Sequence, residues 1–250
     1  MNIVDSLACL HEKYGLFNHF KISDELWTPN LLKKLGEIEE TKYLLDFYSQ
    51  YFSAYRKQLG KTGLNNHLND SMTGVSRAVD LPFLGSQTIE FGRARYFLVF
   101  EGSLANSQEP SMTVLSCLWA TNDEKAKSKI LDEHWSGRGK SSYEFIVKCL
   151  KMDTSLAKDC FVTDAVKFGD GNGKPDLKRN REFLLNEIKI LNPDFVILLG
   201  TKAKSTYGKA SKEVPWKLIQ LPFPTKNYRS SKTVEVLEKE FDVLKGVWNS

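Results

Sequence analysis

The chain has 250 residues and a mass of 28.5 kDa, enough for one large domain or for a main domain with a modest appendage. Hydrophobic residues make up 41%, charged residues 26% and aromatic residues 12%, which excludes disordered, collagen-like and coiled-coil chains. The apolar runs are strand-sized, and the amino end lacks a basic region followed by an apolar one. We therefore expect neither a transmembrane helix nor a signal peptide, and a cytoplasmic location.

Cysteine and histidine are scattered along the chain, with four residues of each. No two cysteines have CxxC spacing, and no histidine lies at metal-ligand spacing from a cysteine. We therefore expect reduced thiols, no metal and no cofactor.

The net charge of +4 is unevenly distributed. Residues 1–150 include 17 basic and 18 acidic residues, whereas residues 151–250 include 18 basic and 13 acidic ones. Between Thr201 and Lys232, eight basic residues stand against one acid, Glu213. Such a segment suits either the backbone of a nucleic acid or a solvated lysine-rich face, and the charge pattern leaves both open.

The first ninety residues differ in pattern from the rest. Over residues 1–60, apolar and aromatic side chains recur at three- and four-residue spacing, which predicts helices whose aromatic stripe packs in a core. Residues 60–92 are polar and rich in Gly and Asn, which predicts a loop region. We therefore expect an N-terminal helical extension over residues 1–90 and a main domain over residues 91–250.

The main domain alternates short apolar runs with amphipathic helices. Runs without polar alternation are typical of strands covered on both faces. A helix over Pro175–Leu191 predicts a right-handed parallel crossover, and the apolar stripe from Val234 to Trp248 predicts one C-terminal helix. The fold class is therefore α/β, with a mostly parallel four-stranded sheet flanked by helices. The predicted strands are Tyr96–Phe100, Cys160–Val166, Phe195–Leu199 and Leu218–Leu221.

Ligands of such sheets bind beyond the carboxyl ends of the strands. The GDGNGKP stretch at Gly169–Pro175 is interpreted as a flexible loop, because Pro175 stands where a phosphate loop or a calcium loop needs another residue. The segments that follow the four strands are Glu101–Glu109, Thr163–Phe168, Gly200–Lys204 and Pro222–Arg229.

These segments, taken in order, resemble the uracil-DNA glycosylase superfamily. The most similar passage is Cys160–Ala203, with CFVTDAVKF followed by LLNEIKILNPDFVILLGTKA. FLVFEGSLAN (97–106), HWSGRG (134–139) and LPFPT (221–225) stand where the superfamily has its other loops. The resemblance covers about residues 95–230. It implies a monomeric DNA glycosylase that hydrolyses an N-glycosidic bond without metal or cofactor.

Two residues fall at the superfamily's base-binding positions. Trp135 falls at the aromatic residue that stacks on the flipped base, and Asp164 at the asparagine that reads uracil. A carboxylate only accepts hydrogen bonds, so it suits the N4 amino group of cytosine rather than O4 of uracil. The plainer alternatives are that Trp135 packs on the sheet, and that Asp164 caps a turn or binds Lys167.

The first catalytic loop departs from the superfamily's pattern. Leu104 stands where many relatives have the Asp or Asn that positions water. A nearby carboxylate or amide is the type of group that can orient water and stabilise positive charge on the sugar. The candidates are Asn106 first and Glu109 second, followed by Ser103 and Glu101.

The last loop also departs, because Phe223 replaces the superfamily's histidine. His134, beside Trp135, is either a partial substitute for that histidine or a surface side chain. The resemblance places this loop near the DNA backbone, where basic and amide side chains fix position without reading sequence. The expected DNA contacts are Lys202, Lys204, Lys226, Asn227 and Arg229.

The sequence thus predicts a DNA glycosylase that flips out a modified cytosine and leaves an abasic site. Removing plain cytosine would damage the cell's own genome, so we expect a modified base such as glucosylated 5-hydroxymethylcytosine of phage DNA, and a role in anti-phage defence. The alternatives are a divergent uracil or damaged-base repair glycosylase, a catalytically silent DNA-binding relative, and an unrelated α/β nucleotide-binding domain.

Overall fold

Apolar runs that are buried along their whole length form the centre of the fold. The computed structural model describes residues 3–14, 83–101, 145–146, 148–151, 154–170, 174–208, 214–224 and 234–250. Every residue of β2 (Tyr96–Phe100), β3 (Cys160–Asp164) and β4 (Phe195–Leu199) is buried. The two edge strands are β1 (Phe83–Leu84) and the partly exposed β5 (Lys217–Leu221).

The sheet has the order β1-β3-β2-β4-β5, and its last four strands are mutually parallel. Only β1, among the described strands, runs antiparallel to its neighbour, β3. The predicted α/β class with a mostly parallel sheet is confirmed. Because β3, β2, β4 and β5 run the same way, their carboxyl ends form one edge of the sheet.

Helices flank this sheet. The long helix α4 connects β3 to β4 and crosses β2, as the predicted parallel crossover requires. The N-terminal helix α1 packs against α4, and residues 145–146 and 148–150 are also helical. The helices are α1 (Ile3–Lys13), α2 (Ser86–Phe91), α3 (Thr154–Ala157), α4 (Leu177–Leu191), α5 (Thr201–Tyr207), α6 (Val234–Glu240) and α7 (Val243–Trp248).

Four predicted boundaries are corrected. β5 begins at Lys217 rather than Leu218, because Lys217 already pairs with Phe195 of β4. β3 ends at Asp164 rather than Val166, because beyond it the N–H groups of Lys167 and Phe168 donate to Oδ1 of Asn180 on α4 rather than to a neighbouring strand. Helix α4 begins at Leu177 rather than Pro175, because the side chain of Asp176 caps it by accepting a hydrogen bond from the Arg179 N–H at 3.0 Å. Residues 83–91, predicted as part of a loop, form β1 and α2.

The predicted single C-terminal helix is two helices. The N–H groups of Phe241 and Asp242 donate to carbonyls three residues back, which tightens the end of α6 and separates it from α7. Phe241, Leu244 and Val247 are nevertheless buried, so the apolar stripe continues across the break.

Other predictions on the first ninety residues are not decided. The helices and the aromatic stripe predicted between residues 15 and 60 lie outside the described residues. The domain boundary at residue 90 stays a prediction. β1, which precedes that residue, pairs with β3 of the sheet, and α2 extends across the predicted boundary. None of the described helices is long and apolar enough to cross a membrane.

His11 anchors α1 to α4 through a buried polar contact. Its side chain is 1% exposed, and Nε2 donates to Oε1 of Glu187, which is 0% exposed, at 3.3 Å. The ring meets Phe183 edge-on, with centroids 5.1 Å apart. Burial lowers the pKa of His11 below its ordinary value of 6.5, against the opposing effect of Glu187, so the ring is neutral at neutral pH.

The lowered pKa of His11 makes the stability of the protein depend on pH. The unfolded chain binds this proton below about pH 6.5, whereas the folded chain does so only at lower pH, so stability decreases as the pH falls through that window. We expect the free energy of unfolding to fall more steeply between about pH 7.5 and pH 5.5 for wild type than for His11→Gln, by at most about 1.4 kcal/mol per pH unit. Urea denaturation at each pH measures both slopes. Equal slopes would contradict the burial of a neutral His11.

Candidate active site

The carboxyl ends of the four parallel strands are tied together by main-chain hydrogen bonds. Asp164 ends β3 in register with Phe100, the last residue of β2. On the other side of β2, the N–H of Gly200, just after β4, donates to the carbonyl of Leu221 at the end of β5, at 2.9 Å. Residues that follow different strands are therefore held at one edge, as the sequence predicted.

Asp164 is 5% exposed, and a buried lysine holds its main chain. The Nζ of Lys167, whose residue is 2% exposed, donates to the main-chain carbonyl of Asp164 and, at 2.6 Å, to Oγ1 of Thr163. The same Nζ lies 3.7 Å from Oε2 of Glu187 on α4. Lys167 thus contacts Asp164 at its main-chain oxygen, and the alternative in which the Asp164 carboxylate binds Lys167 stays a prediction.

Asn180 on α4 fixes the segment that follows Asp164. Its Oδ1 accepts hydrogen bonds from the N–H groups of Lys167 at 2.6 Å and Phe168 at 2.9 Å. Its Nδ2 donates to the carbonyl of Phe168 at 2.7 Å and to that of Asp176 at 2.7 Å. The chain beyond β3 is therefore fastened to α4 by one buried amide.

Sequence reasoning missed this polar support. Asn180 and Glu187 are buried on the face of α4 that also buries Phe183, Leu184 and Ile188. The available signal was the helical spacing, because the two polar side chains are seven positions apart, which places both on the apolar stripe.

Glu101, one of the four predicted catalytic residues, caps the amino end of α5. Its Oε1 accepts hydrogen bonds from Oγ1 of Thr201 and from the N–H of Lys202, each at 3.2 Å. Gly200, at φ +98°, leaves the space for this carboxylate, since a Cβ there would lie 2.2 Å from Oε1 of Glu101. The carboxylate thus joins the end of β2 to the start of α5.

Lys202 and Lys204 are exposed on α5, at or near this edge of the sheet. The main-chain N–H of Lys202 is already bound to Glu101. The two side chains therefore remain the available phosphate contacts there, and their binding to DNA stays a prediction.

Phe223 packs on the same edge as Asp164. Its ring is half-buried and meets the ring of Phe100 at an interplanar angle of 80°, with centroids 6.1 Å apart. The ring offers no hydrogen-bonding atom, and its correspondence to the superfamily's histidine stays a prediction.

The structure brings together Asp164, Glu101 and Phe223 among the predicted site residues. Lys202 and Lys204 lie on α5. The other predicted site residues lie outside the described residues, and their roles stay predictions. They are Ser103, Asn106, Glu109, His134, Trp135, Lys226, Asn227 and Arg229. Within the part of the chain that the structure describes, no group of three or more His, Cys, Asp or Glu side chains is placed to hold a metal ion.

Residues 121–248, just over half of the chain, match the family model of the uracil-DNA glycosylase superfamily. The chain belongs to this superfamily. The matched range contains β3, α4, β4, α5, β5 and the two C-terminal helices, and with them Asp164 and Phe223. β2 and Glu101 precede it. No curated protein matches the chain.

For this member of the uracil-DNA glycosylase superfamily, Glu101 can be tested as a cap or as a reacting group. Glutamine keeps an acceptor for Thr201 and Lys202 but loses the charge, whereas alanine loses the cap. We expect Glu101→Gln to lower the free energy of unfolding by about 0.5 kcal/mol and Glu101→Ala by about 1–2 kcal/mol, as measured by urea denaturation. Base release from DNA by a folded Glu101→Gln variant should stay within about twofold of wild type. A loss of about 100-fold or more would instead assign Glu101 to the reaction.

A methyl group at Gly200 should displace the Glu101 carboxylate. We expect Gly200→Ala to lower the free energy of unfolding by about 3 kcal/mol or more, because backbone strain adds to the loss of the cap. Gly92 is a matched control, since it has φ +66° and open space around the Cβ position. Gly92→Ala should cost about 1 kcal/mol. Equal losses in urea denaturation would contradict the close approach of Glu101 to Gly200.

Proposed function

We propose that this chain is a monofunctional DNA glycosylase that flips out a modified cytosine and hydrolyses its N-glycosidic bond. The observation that carries the proposal is the buried Asp164 at the carboxyl end of β3. It stands where the superfamily's uracil-reading asparagine falls in the resemblance. Superfamily membership supports the reaction class, and the change from amide to carboxylate supports the base.

The chemistry of Asp164 favours cytosine over uracil. An asparagine amide can donate to O4 and accept from N3–H of uracil, whereas a carboxylate can only accept. Cytosine presents an amino group at C4, which matches a carboxylate. In a buried site a mismatched polar pair costs far more than in water, so the choice of donor or acceptor there decides which base is held.

The reaction breaks the bond between C1′ of the sugar and N1 of the base. A water oxygen bonds to C1′ and loses a proton, and the base leaves with the electron pair of the broken bond and takes up a proton. Asn106, Glu109 and Ser103 are our proposed groups for orienting this water. Trp135 is our proposed stacking platform for the flipped base, with His134 beside it.

The substrate we propose is a modified cytosine, because an enzyme that removed plain cytosine would destroy the genome of its own cell. Glucosylated 5-hydroxymethylcytosine, a base of some phage DNA, meets this requirement. The biological role that follows is anti-phage defence in the cytoplasm by a monomeric enzyme. The DNA backbone would be held by the basic and amide residues Lys202, Lys204, Lys226, Asn227 and Arg229.

Base release from three matched duplexes tests this proposal. The duplexes carry uracil, cytosine or glucosylated 5-hydroxymethylcytosine at one position, and abasic sites are counted after incubation. We expect wild type to act on the modified cytosine alone, and Asp164→Asn to lose about 100-fold or more of that activity and shift towards uracil.

Asp159→Asn is the matched control, because Asp159 immediately precedes β3 at the opposite end of the strand. It should leave base release unchanged. Release of uracil by wild type would remove the cytosine proposal and favour a divergent repair glycosylase.

One observation favours a second candidate function, a DNA-binding protein without catalysis. Phe223 presents an apolar ring where the superfamily has a histidine, so the departing base lacks that hydrogen bond. Binding of all three duplexes without base release from any of them would select this function.

A further inference from the structure

We propose that Lys167 is a positioning residue for base recognition, acting through the main chain of Asp164 within a buried ionic cluster. This cluster consists of Lys167, Glu187, His11 and Thr163. The inference rests on the proposed function of Asp164 as the base reader. It gives a role to the buried charge of Lys167, which has no contact with the base in the proposed function.

The ammonium of Lys167 is directed back at the end of β3. It has three N–H donors, and the oxygens around it are the carbonyl of Asp164, Oγ1 of Thr163 at 2.6 Å and Oε2 of Glu187 at 3.7 Å. Two of these three oxygens belong to the last two residues of β3. Lys167 thus ties its own loop to the strand end that presents Asp164.

Glu187 supplies the charge that lets Lys167 stay buried. An uncompensated charge in a protein interior is strongly unfavourable, so a buried ammonium needs a partner. Both oxygens of Glu187 also accept from Oγ1 of Thr163, at 3.2 and 3.4 Å, and Oε1 accepts from His11. Because His11 is neutral at neutral pH, it adds no charge to the ion pair of Lys167 with Glu187.

The compensated charge of Lys167 helps to hold the main chain of Asp164 in place. Lys167 reaches that residue at its main-chain oxygen, and the charge of Lys167 is compensated by Glu187 from α4. Oδ1 of Asn180 accepts a hydrogen bond from the main-chain N–H of Lys167 at 2.6 Å. Lys167 therefore holds the end of β3, and Asn180 holds the loop that follows it. A recognition group needs such support to stay within a fraction of an ångström of its working position.

Loss of the ammonium should therefore affect base preference rather than DNA binding. A displaced Asp164 main chain would carry the carboxylate away from the base, while the exposed lysines that contact the DNA backbone would be unchanged. A purely structural role would instead lower the amount of folded protein and leave the base preference of the folded fraction unaltered.

The test variant is Lys167→Met/Glu187→Gln, which removes both charges together. Lys167→Met alone would leave Glu187 buried without its counter-charge and can fail to fold. Thr163→Val is the second variant, because valine keeps the size and the strand preference of threonine and removes only the hydroxyl. Lys189→Met is the matched control, since Lys189 is exposed on α4, the helix that contains Glu187.

Two readouts separate this inference from the proposed function. The first is hydrogen exchange of residues 161–168, which needs no catalysis and should accelerate by about tenfold or more in the double variant, while residues 195–199 of β4 stay protected. The second is the ratio of kcat/KM for modified cytosine to that for uracil, which should fall by about tenfold or more at unchanged Kd for DNA. Thr163→Val should move both readouts in the same direction by less, and Lys189→Met should move neither.

Wild-type exchange and wild-type base preference in a folded double variant would overturn the inference. If the double variant does not fold, wild-type behaviour of Thr163→Val overturns it. If wild type releases no base at all, the proposed function fails by itself, and the exchange of residues 161–168 alone decides whether Lys167 positions Asp164.

Discussion

The buried contacts of Lys167 with Glu187 and Thr163 hold the carboxyl end of β3 against α4. The ion pair of Lys167 with Glu187 lies in the interior between β3 and α4, where an isolated charge would be strongly unfavourable. Thr163 and His11 supply the remaining hydrogen bonds, so one polar cluster joins the end of a strand, a long helix and the N-terminal helix. A contact that is costly to bury needs all of its partners in place, which makes these three elements depend on one another.

Two carboxylates at the same sheet edge have different surroundings. Glu101 points across the sheet to the start of α5 and accepts hydrogen bonds from Thr201 and Lys202, which suits a structural cap. Asp164 ends the neighbouring strand and is held through its main-chain oxygen. A carboxylate whose backbone is fixed by other groups can present its own oxygens to a ligand without losing its place. The two side chains have the same chemical type, so they differ only in the contacts that surround them.

The fold could be predicted where burial is continuous. β2 and β4 have the predicted limits, because both faces of each strand are covered and every residue is apolar. β1 has only two residues, too few to produce a period, and it was missed. Asp164 and Phe223 were predicted to lie at one edge because each is at or just after the carboxyl end of a parallel strand. The ionic cluster could not be predicted, since His11 and Glu187 are 176 positions apart. Contacts of that separation leave no local pattern beyond a polar residue on an apolar stripe.

In the resemblance to the superfamily, this chain departs at the position of the base-reading asparagine and at that of the histidine in the last loop. An exchange of asparagine for aspartate at the end of β3 preserves size and shape while replacing a donor by an acceptor, so recognition can change and the fold can stay. Phe223, packed on the ring of Phe100, offers no hydrogen-bonding atom at the position where the resemblance places that histidine. The first loop, which follows β2, precedes the residues that match the superfamily's model. The family match therefore includes Asp164 and Phe223, but it gives no support to the proposed water-orienting roles of Asn106, Glu109 and Ser103.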